Sequence, residues 1–103
     1  MDPRIEVILN VMRSKTMSVE ECSRQLGLSR SHFCRLFRRE VGTAPGAYLR
    51  EQRMQRALKL LAQSGRSICE IAFHLGFTDP SHFIRDFKRR YQMSPAAFRR
   101  SCP

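Results

Sequence analysis

The sequence predicts an all-α fold. Three observations carry that prediction. Apolar residues recur at helical spacing along most of the chain, the stripes open on Ser or Asp and close on Gly, and one such pattern is written twice. The two copies lie 49 or 50 residues apart within 103 residues, which is enough chain for one small domain or two very small units.

The first helix is signalled by Asp2-Pro3, a cap followed by a proline whose missing amide costs nothing at that place. Ile5, Ile8, Leu9 and Met12 form its stripe. The second begins at Ser18 in SVEECSRQLGL, where Ser18 and Glu21 have the spacing of a capping box and Gly27 permits a left-handed ending. Ser29 caps the third, which contains SHFCRLFRR; Phe33, Leu36, Phe37 and Val41 fall on one side of it. A longer helix follows from Pro45, with Met54, Ala57, Leu58 and Leu61 on one face and Gly65 just beyond its end. Ser67 then opens SICEIAFHLGF, again with Glu three residues on and again closed by Gly, here Gly76. Asp79-Pro80 starts the next helix, whose buried stripe is Phe83, Phe87 and Tyr91. Ser94-Pro95 starts a short last helix holding Phe98, while Ala44 at the matching place leaves the long helix without such a cap.

The duplication is close. Val19, Cys22, Ser23 and Leu26 match Ile68, Ile71, Ala72 and Leu75 at an offset of 49. One extra residue in the second copy then makes the offset 50, at which Ser31, His32, Phe33, Arg35, Phe37, Arg39, Pro45, Ala47 and Arg50 recur unchanged. A capped short helix, a Gly-containing turn and a second capped helix make a helix-turn-helix, and this chain has two. The expected boundaries are 1–43 for the first unit, 44–64 for a linker helix and 65–103 for the second, together one domain.

Charge narrows the class of partner. Nineteen Lys and Arg stand against nine Asp and Glu, a formal net charge of +10. Lys15, Lys59 and Lys88 are the lysines; every other cation is Arg, whose planar fork suits phosphates and guanine edges. The balance points to a polyanion, nucleic acid ahead of an acidic membrane surface. No apolar run is long enough for a membrane span, so none is expected and the cytoplasm is the expected location. Four cysteines at 22, 34, 69 and 102 and three histidines do not fall into a zinc pattern, so neither metal nor cofactor is expected. Cys22 and Cys69 are both expected at apolar positions as free thiols.

On a helical wheel, Ser31, Arg35 and Arg38 lie opposite the Phe33 stripe, and Ser81, Arg85 and Lys88 repeat that ridge in the second copy. A major groove about 12 Å wide admits one such helix. His32 and His82 sit in the first helical turn, where local hydrogen bonding or a phosphate contact suits them better than acid–base catalysis. Asp86, where the first copy has Leu36, calls for a partner such as a neighbouring Arg. The long helix, at about 19 residues and 1.5 Å each, would be roughly 28 Å long, near the ~34 Å between successive major-groove faces.

From RALKLLAQSGRSICEIAFHLGF through SHFIRDFKRRYQMSPAAFRR, and in the matching first copy, the chain resembles the DNA-binding domain of the AraC/XylS family of bacterial transcription regulators. The resemblance covers about residues 5 to 100. It implies seven helices, two helix-turn-helix units on a linker helix, and sequence-specific binding of double-stranded DNA without catalysis. By position it implies base-facing roles for Ser31, Cys34 and Arg35, and for Pro80, Ser81, His82 and Arg85. Arg30, Arg38 and Lys88 become phosphate contacts. Family members often carry a larger side chain where Ser31 and Cys34 stand, which leaves Arg35 as the long reader of the first copy. RNA polymerase is a further partner the resemblance admits, and a monomer is compatible with this chain. The chain is expected to be a stand-alone member or the DNA-binding part of a longer regulator. Two other classes fit less well: a non-specific architectural or RNA-binding module, which the capped recognition helices disfavour, and an enzyme, for which no carboxylate cluster or Cys–His pairing speaks.

Overall fold

A computed structural model describes all 103 residues as seven α-helices: α1 (Pro3–Ser14), α2 (Val19–Gln25), α3 (Arg30–Val41), α4 (Pro45–Gln63), α5 (Ile68–His74), α6 (Pro80–Tyr91) and α7 (Pro95–Ser101). The chain forms two compact units, Met1–Gln52 and Arg53–Pro103. The division falls inside α4, and its cause is visible in the repeat. Shifted by 49, the α1 stripe Ile5, Ile8, Leu9, Met12 becomes Met54, Ala57, Leu58, Leu61, the stripe of the second half of α4. The start of α4, Pro45 to Arg50, matches the start of α7, Pro95 to Arg100, at 50. Each repeat is therefore four helices, and α4 fuses the last of the first repeat to the first of the second.

In the first unit, Ile5, Ile8, Met12, Met17, Cys22, Phe33, Leu36 and Phe37 are buried in one core, with Tyr48 and Leu49 of α4 packed against it. Phe37 lies edge-on to Tyr48 at 5.5 Å between ring centroids and 5.7 Å from Phe33. Met17 precedes the Ser18 cap and Cys22 stands four residues past it, the two positions of a hydrophobic staple, which explains why Met17 is buried although it lies outside the helices. Its counterpart in the second repeat, Arg66, is exposed. The α1 amide end is tied to α3, where Glu40 Oε1 accepts from the Asp2 amide at 2.9 Å.

The second unit repeats the plan around Met54, Ala57, Leu61, Ile71, Ala72, Leu75, Phe77, Phe83 and Phe87. Here Leu58 and Tyr91 are half-buried, at the rim of that core. At the end of α4, Arg99 of α7 donates from Nε to the Leu61 carbonyl (3.1 Å) and from Nη2 to the Ser64 carbonyl (3.4 Å). A guanidinium placed there satisfies carbonyls that a helix end leaves open. One of the chain's cations is thereby spent on holding the fold.

The expected caps form, with one asymmetry. Ser67 and Glu70 close both arms of the capping box: the Ser67 oxygen accepts from the Glu70 amide and the Glu70 carboxylate accepts from the Ser67 amide, each at 3.1 Å. The amide of Ser67, then its hydroxyl, holds the Glu70 carboxyl below its ordinary range. In the first repeat the Ser18 oxygen also accepts from the Glu21 amide (3.1 Å), but Glu21 takes the Ser18 hydroxyl (3.2 Å) instead of its amide, so only half of that box closes.

Cys69 corrects the expectation of an apolar environment: it is exposed, whereas Cys22 is buried. Ile68, Ile71, Ala72 and Leu75 already fill the inward arc of α5, and Cys69 projects about 100° along from Ile68. Burial, with Glu21 adding a smaller repulsion, pushes the Cys22 thiol up to about 11. In the native protein a thiol-specific reagent is expected to modify Cys69 rapidly and Cys22 only after unfolding. Mass-spectrometric mapping at increasing urea checks this, and early labelling of Cys22 would contradict its buried placement.

Candidate nucleic-acid interface

Each unit holds one helix by three means. The first is the turn before it. Gly27 (φ +68°) and Gly76 (φ +93°) adopt the left-handed conformation that a Cβ disfavours. In both turns the glycine amide returns to the third residue back: Gly27 to the Arg24 carbonyl and Gly76 to that of Phe73, each at 3.1 Å. The next amide reaches five residues back: Leu28 to the Ser23 carbonyl and Phe77 to that of Ala72, each at 3.0 Å. The second is the cap. Ser29 Oγ accepts from the His32 amide at 3.1 Å, and Asp79 Oδ1 from the Ser81 amide at 2.9 Å. The third is aromatic packing. Phe33 and Phe37 anchor α3, and Phe83 and Phe87 anchor α6, all four fully buried. Anchored on one side, capped at one end and preceded by a fixed turn, each helix presents its opposite side to solvent.

That side carries the ridge expected from the sequence. Ser31, Arg35 and Arg38 are exposed on α3; Ser81, Arg85 and Lys88 are exposed on α6. In each case the spacing i, i+4, i+7 puts them in one line. Of the remaining candidates, Cys34 and Pro80 are half-buried at the margin of the ridge. Arg30 is exposed and ion-paired with Glu20 of α2. A surface pair of this kind contributes about 0–1 kcal/mol, so a phosphate can displace the carboxylate. His82 is exposed but engaged: its ring stands edge-on to Phe77 at 5.4 Å, and its Nε2 lies 3.4 Å from Asp86 Oδ2.

Asp86 finds its neighbouring Arg, Arg89, but only at 3.9 Å; the closer partner is His82. Both fall within one or two turns of α6, so a polar residue at the edge of the stripe is accommodated locally. The residue that the sequence reading left out is Ile84, an isoleucine 38% exposed beside Ser81 and Arg85. The sequence carries its signal: Ile84 matches Cys34, a base-facing candidate, at an offset of 50, between ridge and stripe. No group of three or more His, Cys, Asp or Glu side chains is placed to hold a metal ion. No helix is long and apolar enough to cross a membrane.

A family model described as a helix-turn-helix domain matches residues 22–101. A solved structure of the DNA-binding domain of AdpA, a global transcriptional factor, in complex with a target DNA, superimposes with a TM-score of 0.83 at 34% identity, over 98% of this chain and 93% of that one. The chain belongs to the AraC/XylS family. Among relatives of this family, the GlxA regulator of Rhizobium meliloti is 44% identical over 78 residues, which are 76% of this chain and 24% of GlxA. A probable transcription factor of Proteus vulgaris, PqrA, is 32% identical over 89 residues, 86% of this chain and 73% of PqrA. The chain thus spans about a quarter of the longer relatives and most of the shorter one. An AraC-type family assignment agrees with the architecture found: seven helices and two helix-turn-helix units.

Proposed function

We propose that this chain binds double-stranded DNA sequence-specifically and regulates bacterial transcription, with α3 and α6 each entering a major groove. The observation that carries the proposal is the repeated exposed ridge, Ser31–Arg35–Arg38 and Ser81–Arg85–Lys88, on two capped helices whose opposite faces are locked by buried phenylalanines. Family membership, and the AdpA domain solved on its target DNA, support the same reading.

The side chains divide by reach. Arg35 and Arg85 sit one turn inside the helix starts, where a guanidinium can fork onto O6 and N7 of a guanine. Ser31, Cys34, Ser81 and Pro80 are small, and they let the backbone approach the base edges; His82 adds a donor at the same end. Arg38, Lys88 and Arg30 grip phosphates, which gives affinity and register without sequence information. Residues 1–43 and 65–103 act as the two reading units and 44–64 as their linker, in one DNA-binding domain. The chain performs no chemistry on its target. It acts in the cytoplasm, alone or as the DNA-binding part of a longer regulator; a monomer is compatible with this reading, and RNA polymerase is a further partner that it admits.

Selection from a random duplex library at about 150 mM salt tests this. Two short enriched blocks are the expected result, and the number of base pairs between them measures the spacing of the two readers. One block alone would reduce one helix to a backbone grip. Salt-sensitive binding with no enrichment, matched by an RNA competitor, would replace this reading with a non-specific one.

A further inference from the structure

The two ridges are not chemically equal, and Ile84 makes the difference. It matches Cys34 of α3, which is smaller and half-buried. On α6 the wheel places Ile84 about 40° to one side of Lys88 and at the edge of the ridge that Ser81, Arg85 and Lys88 form. The core of the second unit does not use it: Phe83 and Phe87 fill the inward side, and Ile84 keeps more than a third of its surface in water. It is an exposed branched hydrocarbon set among a serine and two cations, outside the set of side chains packed on the core.

Resting on the DNA reading above, we infer that Ile84 determines specificity by packing against the 5-methyl group of a thymine in the site of the second unit. The base edges of the major groove are almost wholly hydrogen-bonding groups, and the thymine methyl is the apolar group among them. Arg85, one residue further, then forks onto a neighbouring base, so the two side chains read one apolar and one polar feature from a single helical turn. The first unit has no equivalent, because the Cys34 side chain is unbranched, smaller by two heavy atoms and partly withdrawn. The second block of the site therefore contains a methyl-dependent position and the first does not.

Replacing each thymine of a selected duplex in turn by deoxyuridine removes only the methyl carbon. Wild-type protein should lose about fourfold in affinity at one position of the block that α6 occupies, the value of one buried methyl-sized group. Ile84→Ser should bind the thymine duplex with about the same loss and show no further loss on the deoxyuridine duplex. Ile84→Val, which keeps a branched apolar surface, should retain the methyl dependence. Insensitivity of the wild type at every thymine would overturn the inference while leaving specific DNA binding intact, as would methyl dependence that survives in Ile84→Ser. A library that yields no enriched sequence would remove both readings together.

Discussion

Truncating Phe87 to alanine is expected to destabilise the second unit by about 3–5 kcal/mol. Phe87 is fully buried, and its ring centroid lies 4.8 Å from Tyr91 and 5.9 Å from both Phe83 and Phe98. It is the ring around which α6 and α7 meet. Removing it deletes the transfer free energy of the side chain and leaves a cavity, and it breaks three tilted or edge-on aromatic pairs worth about 0.5–1.5 kcal/mol each beyond area. Small domains have about 5–15 kcal/mol in all, so the loss is a large share of the total. Urea titration followed by circular dichroism measures it. The outcome that contradicts this account is a destabilisation below about 1 kcal/mol, which would mean that the neighbouring rings close the gap without cost. Val41, half-buried at the equivalent place to Tyr91, gives a mild comparison: Val41→Ala removes far less packed surface.

The second large effect concerns recognition. Arg35→Ala or Arg85→Ala is expected to weaken binding to a selected duplex by about five- to 150-fold, corresponding to 1–3 kcal/mol for a bidentate base contact. Both side chains are exposed, so the fold should survive either change. Discrimination should relax at one base position and remain elsewhere. Arg38→Ala and Lys88→Ala provide the contrast: each should weaken binding about equally on every duplex and lower the salt dependence by roughly one counterion. Fluorescence anisotropy against specific and scrambled duplexes at several salt concentrations separates the two patterns. Equal losses for Arg35→Ala on both duplexes would make it a phosphate contact.

Phe87 and Arg85 lie on opposite sides of α6, as Phe37 and Arg35 do on α3, and such a division is legible in sequence. A phenylalanine at i and i+4 with a serine and cations opposite fixes both faces of a helix by period alone. The turn before each helix was equally legible, since a left-handed residue at Gly27 and Gly76 and an oxygen at Ser29 and Asp79 are local requirements. Other features were not local. Period suggested that Cys69 was inward, yet the arc it would occupy is filled by its own helix neighbours. Met17 lies outside any helix and is buried through the staple geometry at the start of α2.

By itself the sequence determined the elements and the chemistry they display: seven helices, where each starts, two ridges of like spacing, a strong positive charge, and the identity of the long side chains opposite each apolar stripe. These follow from periodicity, capping and charge, all of which act within a turn or two of helix. Only the tertiary structure decided which side chains are occupied elsewhere. It gave Arg99 to the end of α4, Arg30 to Glu20 and Asp86 to His82, and it left Ile84 exposed beside the Ser81–Arg85 ridge. It also divided α4 between two cores, so that each four-helix repeat takes its share of that one helix. The physical reason is that burial and pairing are properties of neighbours, and the neighbours of these residues come from other helices or from successive turns whose filling no single period specifies.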